Sequence, residues 1–199
     1  YNILRGTKKG ALWPASTEVD EGSFIDRLRV LLKNAGFDLP TEAQWEYACR
    51  AGTTTKWAYG DTTPTAAQMV YGKAAGDPWS VSAPSDAGVE PVDYGTPNGW
   101  GIFNMHGNLA EYCRDVYSEE APVCTDADKP VVQTTDALAD RRVLRGGNCT
   151  STADDCASSA RASIYAGSDK DYPDENLLAG FRLALPMRPL LTAVSAPGS

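Results

Sequence analysis

His106 is the one histidine of the sequence. Any Ser-His-Asp or Cys-His catalytic arrangement must therefore run through it, and a multi-histidine metal site is excluded by count. Its other reading is a histidine in a structural turn, next to Gly107 and Asn108. Cys149 and Cys156 stand seven residues apart in a polar stretch. That spacing is open to a local disulfide, a redox pair or a thiolate metal site, while the tight two-residue spacing of zinc ribbons and thioredoxins is missing. Asn104, Glu111 and the carbonyls between them make an oxygen-rich turn. Such donors suit calcium, a hard cation that mixes carboxylate, amide and backbone carbonyl ligands; a glutamate there also serves as a helix cap or dipole partner. Gly146-Gly147 follows a strand-like run but lacks the remaining residues of either nucleotide-binding glycine motif. The tandem fits a bulge or a close backbone approach instead. Arg145, Arg161 and Arg182 are placed to pair with carboxylates or to contact a ligand.

Two helices must position these groups. Ser23 is a capping residue with Asp26 in the first turn behind it, and Phe24, Leu28, Leu31 and Ala35 recur at helical spacing up to Gly36, a suitable stop. Thr41-Glu42-Ala43-Gln44 has the capping-box form, in which the hydroxyl and the amide satisfy each other's orphan N–H groups. Trp45, Ala48 and Cys49 are its inner stripe and Gly52 its end. From Gly52 to Gly99 small and turn-forming residues dominate, but Trp57, Tyr59, Tyr71, Trp79 and Tyr94 interrupt them. Linkers are poor in aromatics, so a packed irregular region is expected. A turn at Gly107-Asn108 precedes a short segment from Leu109 to Val116, and Arg142 to Arg145 and Phe181 to Leu185 read as strands. These two strands bracket the polar stretch from Asn148 to Asn176.

The chain has 199 residues, 42% of them hydrophobic, enough for one domain with a real core. Its 26 acidic against 18 basic residues leave a net charge of −8. That balance disfavours nucleic acid and anionic lipid as partners, both of which need basic patches. No run approaches the roughly 20 apolar residues of a membrane span, so no direct membrane insertion is expected. The start on Tyr1 reads as a processed or trimmed end, with any targeting segment out of view. Five cysteines leave at least one thiol free or paired outside the chain, and they do not decide the redox compartment.

Four motifs, in order, resemble the formylglycine-generating-enzyme (sulfatase-modifying factor) family. Leu39-Pro40-Thr41-Glu42-Ala43-Gln44-Trp45-Glu46-Tyr47-Ala48 is similar to its LPTEAEWEYA motif. The run from Pro97 to Tyr112, with Trp100-Gly101-Ile102-Phe103-Asn104-Met105-His106-Gly107-Asn108 at its centre, resembles PNxWGLYDMxGNVWEW. Val143-Leu144-Arg145-Gly146-Gly147 and Gly180-Phe181-Arg182 are similar to RVLRGGS and to the closing GFR. The match covers about Ser23 to Leu185.

This resemblance implies an α+β, C-type-lectin-like fold with two helices, short antiparallel strands and much irregular structure. Residues 1–22 would be an N-terminal remnant, in which only Tyr1 to Val19 could supply the family's opening strands. Residues 23–186 would be the domain and 187–199 a tail. The family's calcium turn transfers as the side chains of Asn104 and Glu111 and the carbonyls of Gly107 and Leu109, so Ca2+ is the implied cofactor. The family's oxidases carry two cysteines separated by four residues after the Gly-Gly. Here Cys149 and Cys156 are separated by six, and Cys149 falls where many members carry Trp, so no catalytic residue is assigned. One branch, the variable proteins of diversity-generating retroelements, diversifies the segment between RGG and GFR through adenine-directed mutagenesis. Asn148 to Asp169 is almost wholly made of residues that such codons yield, whereas Lys170 and Glu175 are not. The branch implies a non-enzymatic domain at the cell surface or outside the cell, whose segment 148–176 binds a protein or glycan. Its expected contacts are Cys149, Ser151, Thr152, Asp154, Asp155, Ser163, Tyr165, Ser168, Asp169 and Tyr172, on a frame of Arg145, Gly146, Gly147, Arg161, Gly180, Phe181 and Arg182. The alternative is a formylglycine-type oxidase acting on a sulfatase cysteine.

Overall fold

The computed structural model describes residues 2–6, 19–72, 88–121, 123–131, 141–165 and 178–185. The remnant begins with a single helical turn, α1 (Asn2–Arg5), rather than a strand. Helix α2 (Phe24–Leu32) starts as expected: the Ser23 hydroxyl accepts the Asp26 N–H. It stops before Gly36, because Lys33 takes the left-handed conformation (φ 51°) and its N–H closes onto the Arg29 and Val30 carbonyls. The apolar spacing misjudged its inner face. Ile25 is the buried residue, while Phe24 and Leu31 are exposed. Helix α3 (Glu42–Arg50) opens on a complete Thr41/Gln44 capping box, and Ala51 and Gly52 end it with positive φ.

Four strands form one sheet in the order β3-β2-β1-β4: β1 (Ala110–Val116), β2 (Arg141–Arg145), β3 (Ala162–Tyr165) and β4 (Ala179–Gly180). β1 with β2 and β2 with β3 are antiparallel, but β4 runs parallel to β1, so the sheet is mixed. The expected strand from Phe181 to Leu185 is absent from it. Its backbone leaves the sheet after Gly180, and only Ala184 pairs, exchanging both N–H···O bonds with Asp38 at 2.8 and 3.1 Å. Conversely, β3 lies inside the stretch that its polar composition marked as loop.

Alternation along the strands aims chemistry at α3. Side chains two apart share a sheet face, and Glu111, Cys113 and Asp115 of β1 with Val143 and Arg145 of β2 meet the helix positions Glu42, Trp45, Glu46 and Cys49. These are spaced i, i+3, i+4, i+7, one face of a helix. Trp45, Cys49, Met105, Cys113 and Val143 pack there as the central core. Ala110, Leu144 and Ile164 form a second cluster on the opposite face of the sheet. Residues 52–72 and 88–99 contain no helix or multi-residue strand, yet they are packed as their aromatics suggest. Trp57 and Met69 are buried with Cys156, and Tyr59 and Tyr71 lean on them. Among the described residues no helix is long and apolar enough to cross a membrane.

Candidate functional site

The segment after Gly147 is fastened mostly through its backbone. The N–H of Cys149 donates to Asn108 O (2.9 Å), and the Ser151 carbonyl accepts from Gly72 N–H (2.9 Å). Ala153 O accepts the Trp57 indole at 3.0 Å, and Ser158 N–H reaches Lys56 O at 2.9 Å. Arg145 supplies the deepest anchor. Its guanidinium donates to Ser158 O at 2.9 Å and to Ala160 O, pairs with Glu46, and stacks over the Trp45 ring at 5.3 Å. Arg161 then clamps the exit of the segment, with Nε and Nη2 on the two Glu42 oxygens at 2.6 and 3.0 Å and Nη1 on Ser118 O at 2.8 Å. Two glutamates of the first motif thus hold Arg145 of the third motif and Arg161 beyond it. Bidentate guanidinium–carboxylate pairs fix direction as well as position.

Within the segment, short side chains close local turns. The Asn148 Oδ1 accepts the Thr150 N–H at 2.9 Å, and Thr152 and Asp155 bond reciprocally, Thr152 Oγ1 to Asp155 Oδ2 at 2.6 Å and Asp155 N–H to Thr152 Oγ1 at 3.3 Å. These turns lead into the 3-10 turn Asp154–Cys156. Gly147 is required by the approach: at φ +65° a Cβ would lie 2.6 Å from Cys156 Sγ.

Of the expected contact residues, Thr152, Asp154 and Asp155 are exposed and Ser151 and Ser163 half-buried. Ser163 Oγ accepts from Arg141 at 3.2 Å, and Asp154, its side chain 75% exposed, pairs with Lys56 at 2.6 Å. Cys149 must be withdrawn: it is 0% exposed, so its thiol cannot touch a ligand. Polar composition did not distinguish a small buried side chain from a small exposed one. The Tyr165 backbone is in β3, its side chain lies outside the described residues, and so do Ser168, Asp169 and Tyr172. Three neighbours escaped the sequence reading, namely Lys56, Ser159 and Ala162, all exposed beside or within the segment. Ala162 shares its face of β3 with buried Ile164, so strand periodicity alone would have marked it as buried rather than exposed.

His106 is buried and its two nitrogens are assigned by their partners. Nε2 lies 3.0 Å from the Ala58 N–H and accepts it, so Nδ1 carries the proton and donates to Cys156 O at 2.8 Å. The Cys49 thiol lies 3.5 Å from Nε2, a geometry that resembles a thiol–imidazole pair. Burial pushes Cys49 up to about 12 and lowers His106, so the pair stays neutral and holds the turn. The structural reading of this histidine is the one its contacts support. Because its folded pKa is depressed, the unfolded chain takes up the proton first as pH falls. Stability is then full above about pH 6.5 and falls below it. Urea midpoints should be flat above that pH and decline beneath it; His106→Asn should remove this decline, and an unchanged decline would assign it elsewhere.

At the expected calcium turn, Asn104 and Asn108 both adopt positive φ, 55° and 66°. The Asn104 amide donates to the Pro91 and Val92 carbonyls at 3.1 and 2.9 Å. Both Glu111 oxygens accept from Arg182, Nη2 to Oε1 at 2.6 Å and Nε to Oε2, and Oε2 also accepts the Trp45 indole at 2.7 Å. A carboxylate has about four lone-pair directions, and three here are taken, two by a cation. In this arrangement Glu111 does not fit a calcium ligand, since the metal would have to face the guanidinium across the same oxygens. No group of three His, Cys, Asp or Glu side chains arranged to hold a metal is found among the described residues.

The fold is the α+β, C-type-lectin-like arrangement of the formylglycine-generating-enzyme type, and residues 5–186 match the family model described as sulfatase-modifying factor enzyme 1-like domain. The chain belongs to that family. Formylglycine-generating enzyme of Streptomyces coelicolor is 33% identical over 153 residues, covering 75% of this chain and 47% of that protein. Inactive C-alpha-formylglycine-generating enzyme 2 of Mus musculus is 31% identical over 154 residues, 75% of this chain and 43% of the other. Treponema denticola variable protein 1 superposes with a TM-score of 0.53 at 33% identity, covering 75% of this chain and 47% of that one. PvdO from Pseudomonas aeruginosa superposes with a TM-score of 0.54 at 21% identity over 76% of this chain and 56% of its own, a likeness of fold alone. The chain spans about half the length of the curated relatives it matches. Their names include an enzyme and an inactive form, so membership leaves the activity open.

Proposed function

We propose that this domain is a ligand-binding module of the variable-protein kind, in which the segment beginning at Asn148 presents changeable side chains to a protein or glycan outside the cell. One observation carries the reading. The framework holds the segment by the backbone of Cys149, Ser151, Ala153, Cys156, Ser158 and Ala160, while the side chains of Thr152, Asp154, Asp155, Ser159 and Ala162 face solvent. Backbone anchoring does not depend on which side chain a residue carries, so Asp154, Ser159 and Ala162 change without loss of the frame, whereas Thr152 and Asp155 also close a local turn through their side chains. Small polar contacts on a rigid support are also how paratopes adapt to many ligands. The oxidase alternative needs a thiolate that a substrate can reach. Cys149 and Cys156 are fully buried, and burial pushes the Cys156 thiol up to about 12, which supports binding over oxidation.

Displaying this domain with Asp154, Ser159 and Ala162 randomised tests the reading. Library members should melt within a few degrees of the parent, since surface substitutions cost about 0.5 kcal/mol or less. Selection against unrelated proteins or glycans should yield binders whose affinity depends on those three positions. Collapse of most members, or oxidation of a cysteine-containing sulfatase peptide by the parent that Cys156→Ser abolishes, would overturn it.

A further inference from the structure

The second and fourth motifs of the chain meet at Glu111 and Arg182, and the contact has the form of a cation in an oxygen cage. Around the guanidinium stand both oxygens of Glu111, with Nη2 at 2.6 Å from Oε1. The Phe103 and Asn104 carbonyls lie at 3.2 and 3.4 Å from Nη2. Carboxylate and backbone carbonyls are the donors a calcium ion takes, but a guanidinium is planar and presents its N–H groups as a fork that a carboxylate matches side-on. The Trp45 indole closes the outer side of Oε2 at 2.7 Å, which fixes the plane of the carboxylate for that fork. Asn104 is turned by its bonds to Pro91 and Val92, so its amide N–H groups serve the neighbouring loop.

We infer that Arg182 is the resident cation of this turn and makes it independent of divalent metal. The role differs from a surface ion pair: the Glu111 side chain is 10% and the Arg182 side chain 23% exposed, so both are largely withdrawn from screening water. The inference does not rest on the ligand-binding reading, because it concerns what holds the scaffold beneath the segment.

Terbium luminescence and calorimetry test it. A lanthanide bound at Glu111 would sit beside Trp45 and be excited through its indole. The wild-type domain should melt at one temperature in EDTA and in millimolar calcium chloride, and show no sensitised emission that calcium competes away. Arg182→Met keeps the aliphatic stem and removes the charge. This variant should melt lower, recover on adding calcium, and gain emission that calcium displaces. Arg182→Lys, which keeps the charge, should remain indifferent to calcium. A calcium-dependent melting shift or calcium-displaced emission in the wild type would overturn the inference. So would a folded Arg182→Met that ignores calcium, since the turn would then hold no cation site for the arginine to fill. If Arg182→Met does not fold, the wild-type and lysine measurements decide.

Discussion

Arg145→Ala is expected to cost about 3–5 kcal/mol of folding stability, from two carbonyls left without donors at about 1–3 kcal/mol each and a void beneath Trp45. In a domain of this size that lowers the melting temperature by roughly ten degrees. Its side chain is fully buried, and it serves two carbonyls, Ser158 O and Ala160 O, as well as Glu46. Truncation leaves those carbonyls without donors and a void under the Trp45 ring. Glu46 itself is not orphaned, because Arg50 holds it at 2.8 Å. Arg161→Ala should cost less, since its side chain is 13% exposed and water can replace part of what is lost. Urea denaturation of both variants checks the order. A loss below about 1 kcal/mol for Arg145→Ala would mean that the segment is not hung on this guanidinium.

The second large effect is expected at Gly107→Ala. Gly107 has φ +73°, and a Cβ would meet the Val70 carbonyl oxygen at 2.1 Å. That carbonyl cannot retreat, because it accepts the Asn108 N–H at 2.9 Å and Val70 is bridged to Gly107. The left-handed conformation alone costs an alanine about 1–2 kcal/mol, and the backbone clash should bring the total to about 3 kcal/mol or more. Gly101→Ala is the matched control: its φ is +78° but nothing lies within 4 Å of the added carbon. It should lose only the conformational part. Equal losses in the two variants would show that the close approach to Val70 is not what demands the glycine.

The helix starts, the Gly107-Asn108 turn and the ordered motifs were legible in the residues themselves. Each depends on neighbours three or four positions away: Ser23 with Asp26, Thr41 with Gln44. The acidic balance and the family likewise follow from residues read in line. The segment between Arg145 and Arg182 was legible as a polar run, but which of its side chains are buried and which exposed was not. Cys149 and Asp154 look alike in a polar run, and only packing made one a buried thiol and the other an exposed carboxylate. That packing comes from afar: Trp57 reaches Ala153 across 96 positions and Arg145 reaches Glu46 across 99. Phe181 to Leu185 has the alternation of a strand, yet among the described residues it pairs only at Ala184 with Asp38, and Arg182 turns inward to Glu111. Local hydrogen bonding is written in adjacent residues, so the sequence by itself determined caps, turns and fold family. Burial and the choice of charge partner depend on which distant surfaces close together, and the tertiary structure alone decided those.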